Sequence, residues 1–280
     1  MNKPITYNKK SVHSKLFCID EYACIHVYFG YESNFNLDDD SNWLIKEVPC
    51  LQPITNNRNL GQQAYEQLRN LIIILQLEPG QIIQEKEIAE SLGISRTPIR
   101  DAFHLLISEG LIDVLPQRTK HVAYISVNKV MESSLVRLSL EMTAFEQVTK
   151  SWKKDDAMYM QAERRIQRII EEQHDAVKAE DVKEFLDLDE QFHSIILQMA
   201  NNQTLINVIY QMRGHLNRFR YLAMKELVLT GKLTIEHENL FNEIKKNNVD
   251  EVKRLLTKHL SKIEEEIPSM REKFPHYFKE

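Results

Sequence analysis

Four side chains in the second half of the chain have the types and spacing of a divalent-metal site. Asp189 and His193 are four residues apart, so a helix would project both from one side. His237 falls in a candidate helix over 234–246 and His259 in a last one over 249–267. One carboxylate and three imidazoles drawn from three helices suit a borderline ion such as zinc, nickel or manganese. Four single-atom ligands would leave two positions free on an octahedral ion. The same set also suits a metal-dependent hydrolase or oxygenase, because an open metal position can activate water. No residue is assigned a catalytic role, however. No motif places a general base, and the sequence has neither a Ser/His/Asp arrangement nor a glycine-rich phosphate loop.

A second constellation is built for a polyanion. Arg96 and Arg100 are four apart on one face of a candidate helix, where they could enter a major groove and bond in bidentate fashion to a guanine edge. Ser95 and Thr97, with the free N–H groups of that helix start, suit phosphate. Lys86, Arg118 and Lys120 would touch phosphate or the neighbouring minor groove. Residues 60–126 hold six Lys/Arg against eight Asp/Glu, so the segment is not basic overall. Five of the six bases nevertheless fall on elements that would face a duplex. A helical adaptor binding only protein would leave the Ser95-Arg96-Thr97-Pro98 turn without a purpose.

The elements that must carry these residues are legible. Ala64, Leu68, Leu71, Ile72 and Leu75 recur at helical spacing until Glu78-Pro79-Gly80 stops the run. A second helix is predicted over 85–92, with Gly93 bending the chain and Ser95 capping a third helix that runs to Gly110. Pro98 falls in the first turn, where it is tolerated. Residues 111–115 and 121–125 read as two strands joined by a turn. Three helices and a basic hairpin make a winged helix-turn-helix. Proline is absent from 117 to 267, and that stretch holds only Gly214 and Gly231, so it is predicted helical throughout. On its helices Leu135, Leu138 and Met142 share one face, and Phe185, Leu188, Phe192 and Ile195 another. The fold is therefore expected to be mainly α: an extension over 1–59, poorly ordered; a winged domain over 60–126; a helical bundle over 127–280. Within the extension, 23–29 reads as one strand without a partner. Cys18, Cys24 and Cys50, an odd number at one end, suit a reducing compartment. No apolar run approaches the roughly 20 residues of a membrane helix, and no secretory signal is read, so a cytoplasmic protein without a membrane partner is expected.

The segment Pro79 to Ile112 resembles the DNA-binding domain of the GntR family of bacterial transcription regulators. Pro79-Gly80, Glu85, Ala89, Leu92-Gly93, Ser95-Arg96-Thr97-Pro98, Arg100 and Glu109-Gly110-Leu111 fall in order and at the family's spacing. Leu75 stands where a glycine is usual, and Thr119 follows Arg118 where the wing normally reads Arg-Gly. Asp189-Glu190-Gln191-Phe192-His193, Glu236-His237 and Lys258-His259-Leu260 are similar to the metal-binding pattern of the FadR-like branch, whose C-terminal ligand domain is called FCD. Arg137 and Glu141 resemble that domain's first-helix Arg-x-x-x-Glu signature. The resemblance implies a homodimeric, metabolite-responsive regulator, a repressor, acting on double-stranded operator DNA. It implies a small organic or sugar acid as effector, and Arg137 is the residue expected to meet that carboxylate. His174, His215 and His276 match nothing in the pattern and are expected to be solvated.

Overall fold

The computed structural model describes residues 59–116 and 119–279, together with Leu51, Ile54 and the backbone of two N-terminal strands. Those strands, β1 (Lys15–Asp20) and β2 (Ala23–Val27), pair antiparallel. The strand that the sequence leaves alone thus has a partner over Ala23–Val27, and 28–29 lie outside the described residues. Apart from Leu51, Ile54 and Asn59, the rest of the segment expected to be poorly ordered lies outside the described residues.

In the middle of the chain α1 (Leu60–Ile73), α2 (Glu85–Leu92) and α3 (Arg96–Ser108) close around one apolar core that includes Leu68, Ile72, Ile88, Leu92, Ile99, Phe103 and Leu106. Leu51, from the N-terminal segment, is buried in the same core. The wing has three strands, not two. β3 (Ile82–Ile83) joins β5 (Lys120–Val122), which pairs with β4 (Ile112–Val114), in the order β3-β5-β4. Two residues are too few for a period-2 pattern, so β3 is invisible to sequence reading.

Local chemistry explains the ends of these helices. Gly93 closes α2 at φ +68, a left-handed conformation that glycine adopts without strain. α1 closes on Leu75 at φ +58, with Leu75 N–H donating to Ile72 O and Gln76 N–H to Leu71 O. That is the bonding of a Schellman cap, whose left-handed position usually falls to glycine. Leucine is tolerated there because its side chain packs, part-buried, into an apolar cluster shared with the helical domain. Ser95 precedes α3 in extended backbone, but its side chain makes no capping bond.

The helical domain comprises α4 (Val127–Ser151), α5 (Ala157–Lys178), α6 (Val182–Met199), α7 (Gln203–Leu227), α8 (Thr230–Lys245), α9 (Val249–Leu260) and α10 (Ile263–Lys273). The single last helix expected over 249–267 is two helices, broken at Ser261–Lys262. The break turns Ile263, Ile267 and Met270 onto α7 and the linker. α4 packs against α7 and α9, and α5 against α6 and α8. Phe185, Leu188, Phe192 and Ile195 all lie in the core, as their spacing predicts. Leu135 does not; it is 66% exposed. Linker strand β6 (Ile125–Ser126) pairs in parallel with the C-terminal strand β7 (Phe278–Lys279). No helix among the described residues is long and apolar enough to cross a membrane.

Candidate metal centre and nucleic-acid interface

Asp189 and His193 project from α6, His237 from α8 and His259 from α9, and all four are buried. One ligand atom from each lies within 4.8 Å of all the others. His259 Nε2 is 3.2 Å from His193 Nε2 and 3.3 Å from His237 Nε2. Asp189 Oδ1 is 3.5 Å from His237 Nε2 and has no hydrogen-bond partner. Facing the other way, each remaining atom has a polar neighbour, by hydrogen bond at His237, His259 and Asp189 and by ion-pair approach at His193. Glu141 Oε2 lies 2.6 Å from His193 Nδ1, Gln173 Oε1 2.9 Å from His237 Nδ1 and Glu236 Oε2 2.9 Å from His259 Nδ1. Arg220 Nη2 donates to Asp189 Oδ2 at 2.6 Å.

This outer ring decides what the inner one is. An acceptor at Nδ1 holds the proton there and leaves the Nε2 lone pair facing inward. Charge follows suit. Burial pushes Asp189 up, but Arg220, helped by His193, His237 and Arg137, outweighs it and holds the carboxyl well below its usual range. Burial, then the neighbouring His259, holds His237 well below the usual imidazole value, and burial lowers His259 to about 4. Lone pairs from these imidazoles and a carboxylate therefore meet in a dry interior. Acceptors buried without donors are costly, and a cation resolves that cost at once. The residues fit a divalent ion.

Beside this cluster a cavity of about 30 Å³, room for one water, is lined by Arg137, Arg220, His259, Lys262 and Glu266. Arg137 and Arg220 are 7% and 8% exposed, and Arg137 Nη2 lies 4.0 Å from Asp189 Oδ2. Lys262 reaches Glu236, the partner of His259. Arg220, Gln173, Glu236 and Lys262 were not assigned from sequence. Glu236 adjoins His237 and was legible as a neighbour, whereas Arg220 and Gln173 carry no spacing signal. Of the histidines expected to be solvated, His174 and His276 are partly or largely exposed, but His215 is buried against Gly110 where the two domains meet. Helical periodicity cannot see a contact made between domains.

On the winged domain Ser95, Arg96, Thr97 and Arg100 lie together, exposed, at the start of α3. Arg100 Nε is 3.9 Å from Glu85 Oε2 and stays 64% exposed; Lys86 is 62% exposed, 3.9 Å from Glu90. Lys120 differs: its ammonium lies 2.6 Å from Glu85 and over the Phe103 ring, so it is tied into the domain. Arg118 lies outside the described residues.

Comparison with known proteins gives this arrangement its context. Residues 60–122 match the gntR family of bacterial regulatory proteins, and residues 132–262 match the FCD domain. The chain is 28% identical over 221 residues to the HTH-type transcriptional repressor RspR of Escherichia coli, covering 79% of this chain and 94% of that one. It is 30% identical over 162 residues to the gluconate operon transcriptional repressor of Bacillus subtilis, covering 58% of this chain and 63% of that one. The structure of Escherichia coli McbR/YncC shares the fold, with a TM-score of 0.64 at 20% identity over 77% of this chain and 98% of that one. The chain belongs to the GntR family of bacterial transcription regulators, with a GntR-type DNA-binding domain followed by an FCD domain.

Proposed function

We propose that the chain is a cytoplasmic, metabolite-responsive repressor whose DNA affinity is set by a small organic or sugar acid bound beside a divalent metal. The observation that carries this reading is the inward convergence of three Nε2 atoms and one unpartnered carboxylate oxygen. Asp189, His193, His237 and His259 would hold the ion, which when bound supplies a Lewis-acidic partner for an effector carboxylate. Arg137 and Arg220, both lining the adjoining cavity, would bind and orient the remaining negative charge. A cavity of about 30 Å³ is too small for such an acid, so Lys262 and Glu266 at its edge must move aside.

Arg96 and Arg100 would read bases, while Lys86, Ser95 and Thr97 hold phosphate. Reading an inverted repeat requires a homodimer, and we place its surface at the exposed Leu135 face of α4. The test is footprinting on the DNA upstream of the gene, with metal content measured on the same preparation and candidate acids titrated in. Protection of an inverted repeat, released by an acid only when metal is present, is the expected result. Absence of both protection and metal would refute the reading.

A further inference from the structure

Four residues, Ala123-Tyr124-Ile125-Ser126, join the wing to α4, and each is held. Ala123 N–H donates to Leu111 O at 2.9 Å on the wing side. The carbonyls of Ala123 and Tyr124 accept from Arg218 Nη1 and Nη2 at 2.5 and 3.0 Å. Ile125 and Ser126 pair with Phe278 and Lys279 at the other end of the chain. The Tyr124 ring sits against Gly80, where any Cβ would come within 2.7 Å of its hydroxyl. The linker, Phe219 and the buried face of α10 form a core of their own, distinct from those of the two domains. The Phe278 ring meets Phe219 edge-on at 6.4 Å.

Two of these anchors begin at the metal side. α10 starts three residues after His259's neighbour Leu260, and its first turn, with Lys262, lines the small cavity; its other end leads into β7. Arg218 and Arg220 are two residues apart on α7, hence roughly 200° apart around it. Arg220 holds Asp189 while Arg218 holds the linker. Arg218 is fully buried; among the described residues no carboxylate lies within ion-pair distance of it, Asp113 acts on it only from further away, and the two linker carbonyls are its hydrogen-bond acceptors. The linker, between 122 and 132, and α10 with β7, beyond 262, lie outside the matched family ranges, whereas Arg218 lies inside the FCD match.

We propose that the C-terminal segment 263–279 and Arg218 form a strap that fixes the winged domain on the helical domain and passes the state of the metal-side cavity to the linker. Opening the cavity displaces the first turn of α10, and the helix, continuous through Pro268, carries β7 away from β6 through the short turn over Pro275–Tyr277. Arg218 is a positioning residue: it touches neither DNA nor effector. The transmission half of the proposal rests on the metal and effector reading above; the anchoring half does not.

Hydrogen exchange of the peptide spanning 121–131 tests it, in the full chain, in a chain ending at Phe274, and in the Phe278→Ala and Arg218→Met variants. Each is measured with zinc and after chelation. Exchange in α5 and α6 on the same samples reports whether the bundle is folded. Loss of the tail should speed linker exchange about tenfold, with the bundle unchanged, as when roughly one net hydrogen-bonding contribution is lost from a local opening. Phe278→Ala should do the same more weakly. Chelation should speed it in the full chain and add nothing in the truncated one. Linker exchange indifferent to tail loss and to Phe278→Ala would overturn the anchoring. Chelation that destabilises the bundle yet leaves the linker of the full chain unmoved would overturn the transmission. A chain that takes up no metal would refute the proposed function instead, and the tail comparison would still decide the strap.

Discussion

Arg137 Nε donates to Glu141 Oε1 at 2.6 Å, and the other oxygen of that buried carboxylate lies 2.6 Å from His193 Nδ1. The residue expected to receive the effector is thus already neutralised by a partner of a metal ligand. Burial raises Glu141 but Arg137 and His193 outweigh it, holding the carboxyl well below its usual range, so it is ionised at neutral pH. An arriving carboxylate must compete with Glu141 for the guanidinium, which couples effector and metal binding. Arg137→Ala should retain metal but lose the response to acids, whereas Arg220→Ala should weaken metal itself about 10–100-fold, the usual effect of removing a partner of a ligand. Zinc titration and acid titration on the two variants separate the roles; identical profiles would contradict this division.

Metal should also stabilise. An ion bound only by the folded state adds roughly 2.7 kcal/mol at a hundred times its dissociation constant. Chelation should lower Tm and zinc should restore it. Glu236→Gln, which keeps a hydrogen-bonding group at His259 Nδ1 but removes its charge, should need more zinc for the same Tm. A Tm insensitive to chelator, in a preparation shown to contain metal, would contradict the assignment.

For DNA, Arg100→Ala is expected to cost about 1–3 kcal/mol and to relax base preference, as for a lost bidentate contact. Lys86→Ala should weaken binding evenly across sequences and reduce the salt slope by about 1. Lys120→Ala should do less to DNA than to folding, because Glu85 already holds that ammonium. Binding isotherms at several salt concentrations distinguish the three.

Why some of this is readable in sequence and some is not comes down to range. Asp189 and His193 sit one helical turn apart, and the core face through Phe185 and Ile195 has a fixed period, so local geometry alone brings them together. Arg220, Gln173 and Glu236 act through contacts 23 to 64 residues away in the chain, with no period to reveal them. Ser261–Lys262 breaks a helix without proline or glycine, so the sequence reads straight through it. Leu75 departs from the family's glycine, and only the neighbouring domain explains why a side chain is kept there.

Val228 ends α7 at φ +50 while 82% exposed. A β-branched residue in the left-handed region is strained, at a cost of roughly 1–2 kcal/mol, and here no burial offsets it. Val228→Gly should raise stability by about 1 kcal/mol. Thermal melts of the metal-free chain would show it; an unchanged or lower Tm would count against strain at this turn.

His215 makes the contact between the domains sensitive to acid. Burial, reinforced by the nearby Arg218 and Lys129 charges, lowers its imidazole to about 3. In the unfolded chain the same group titrates near 6.5, so below that pH the unfolded state binds a proton that the folded state refuses. Stability therefore falls as pH drops from about 6.5 towards 3, by up to roughly 1.4 kcal/mol per pH unit from this one group. The loss should appear first where His215 packs, against Gly110 at the end of α3, as opening of the domain contact. His215→Gln cannot titrate and should flatten the slope of Tm against pH between 6.5 and 5. His237 and His259 are also held low and contribute slopes of the same sign to both proteins, so the comparison is made at one fixed zinc concentration and rests on the difference between the two slopes. Equal slopes for the two proteins under that condition would show that His215 is not the acid-sensitive group.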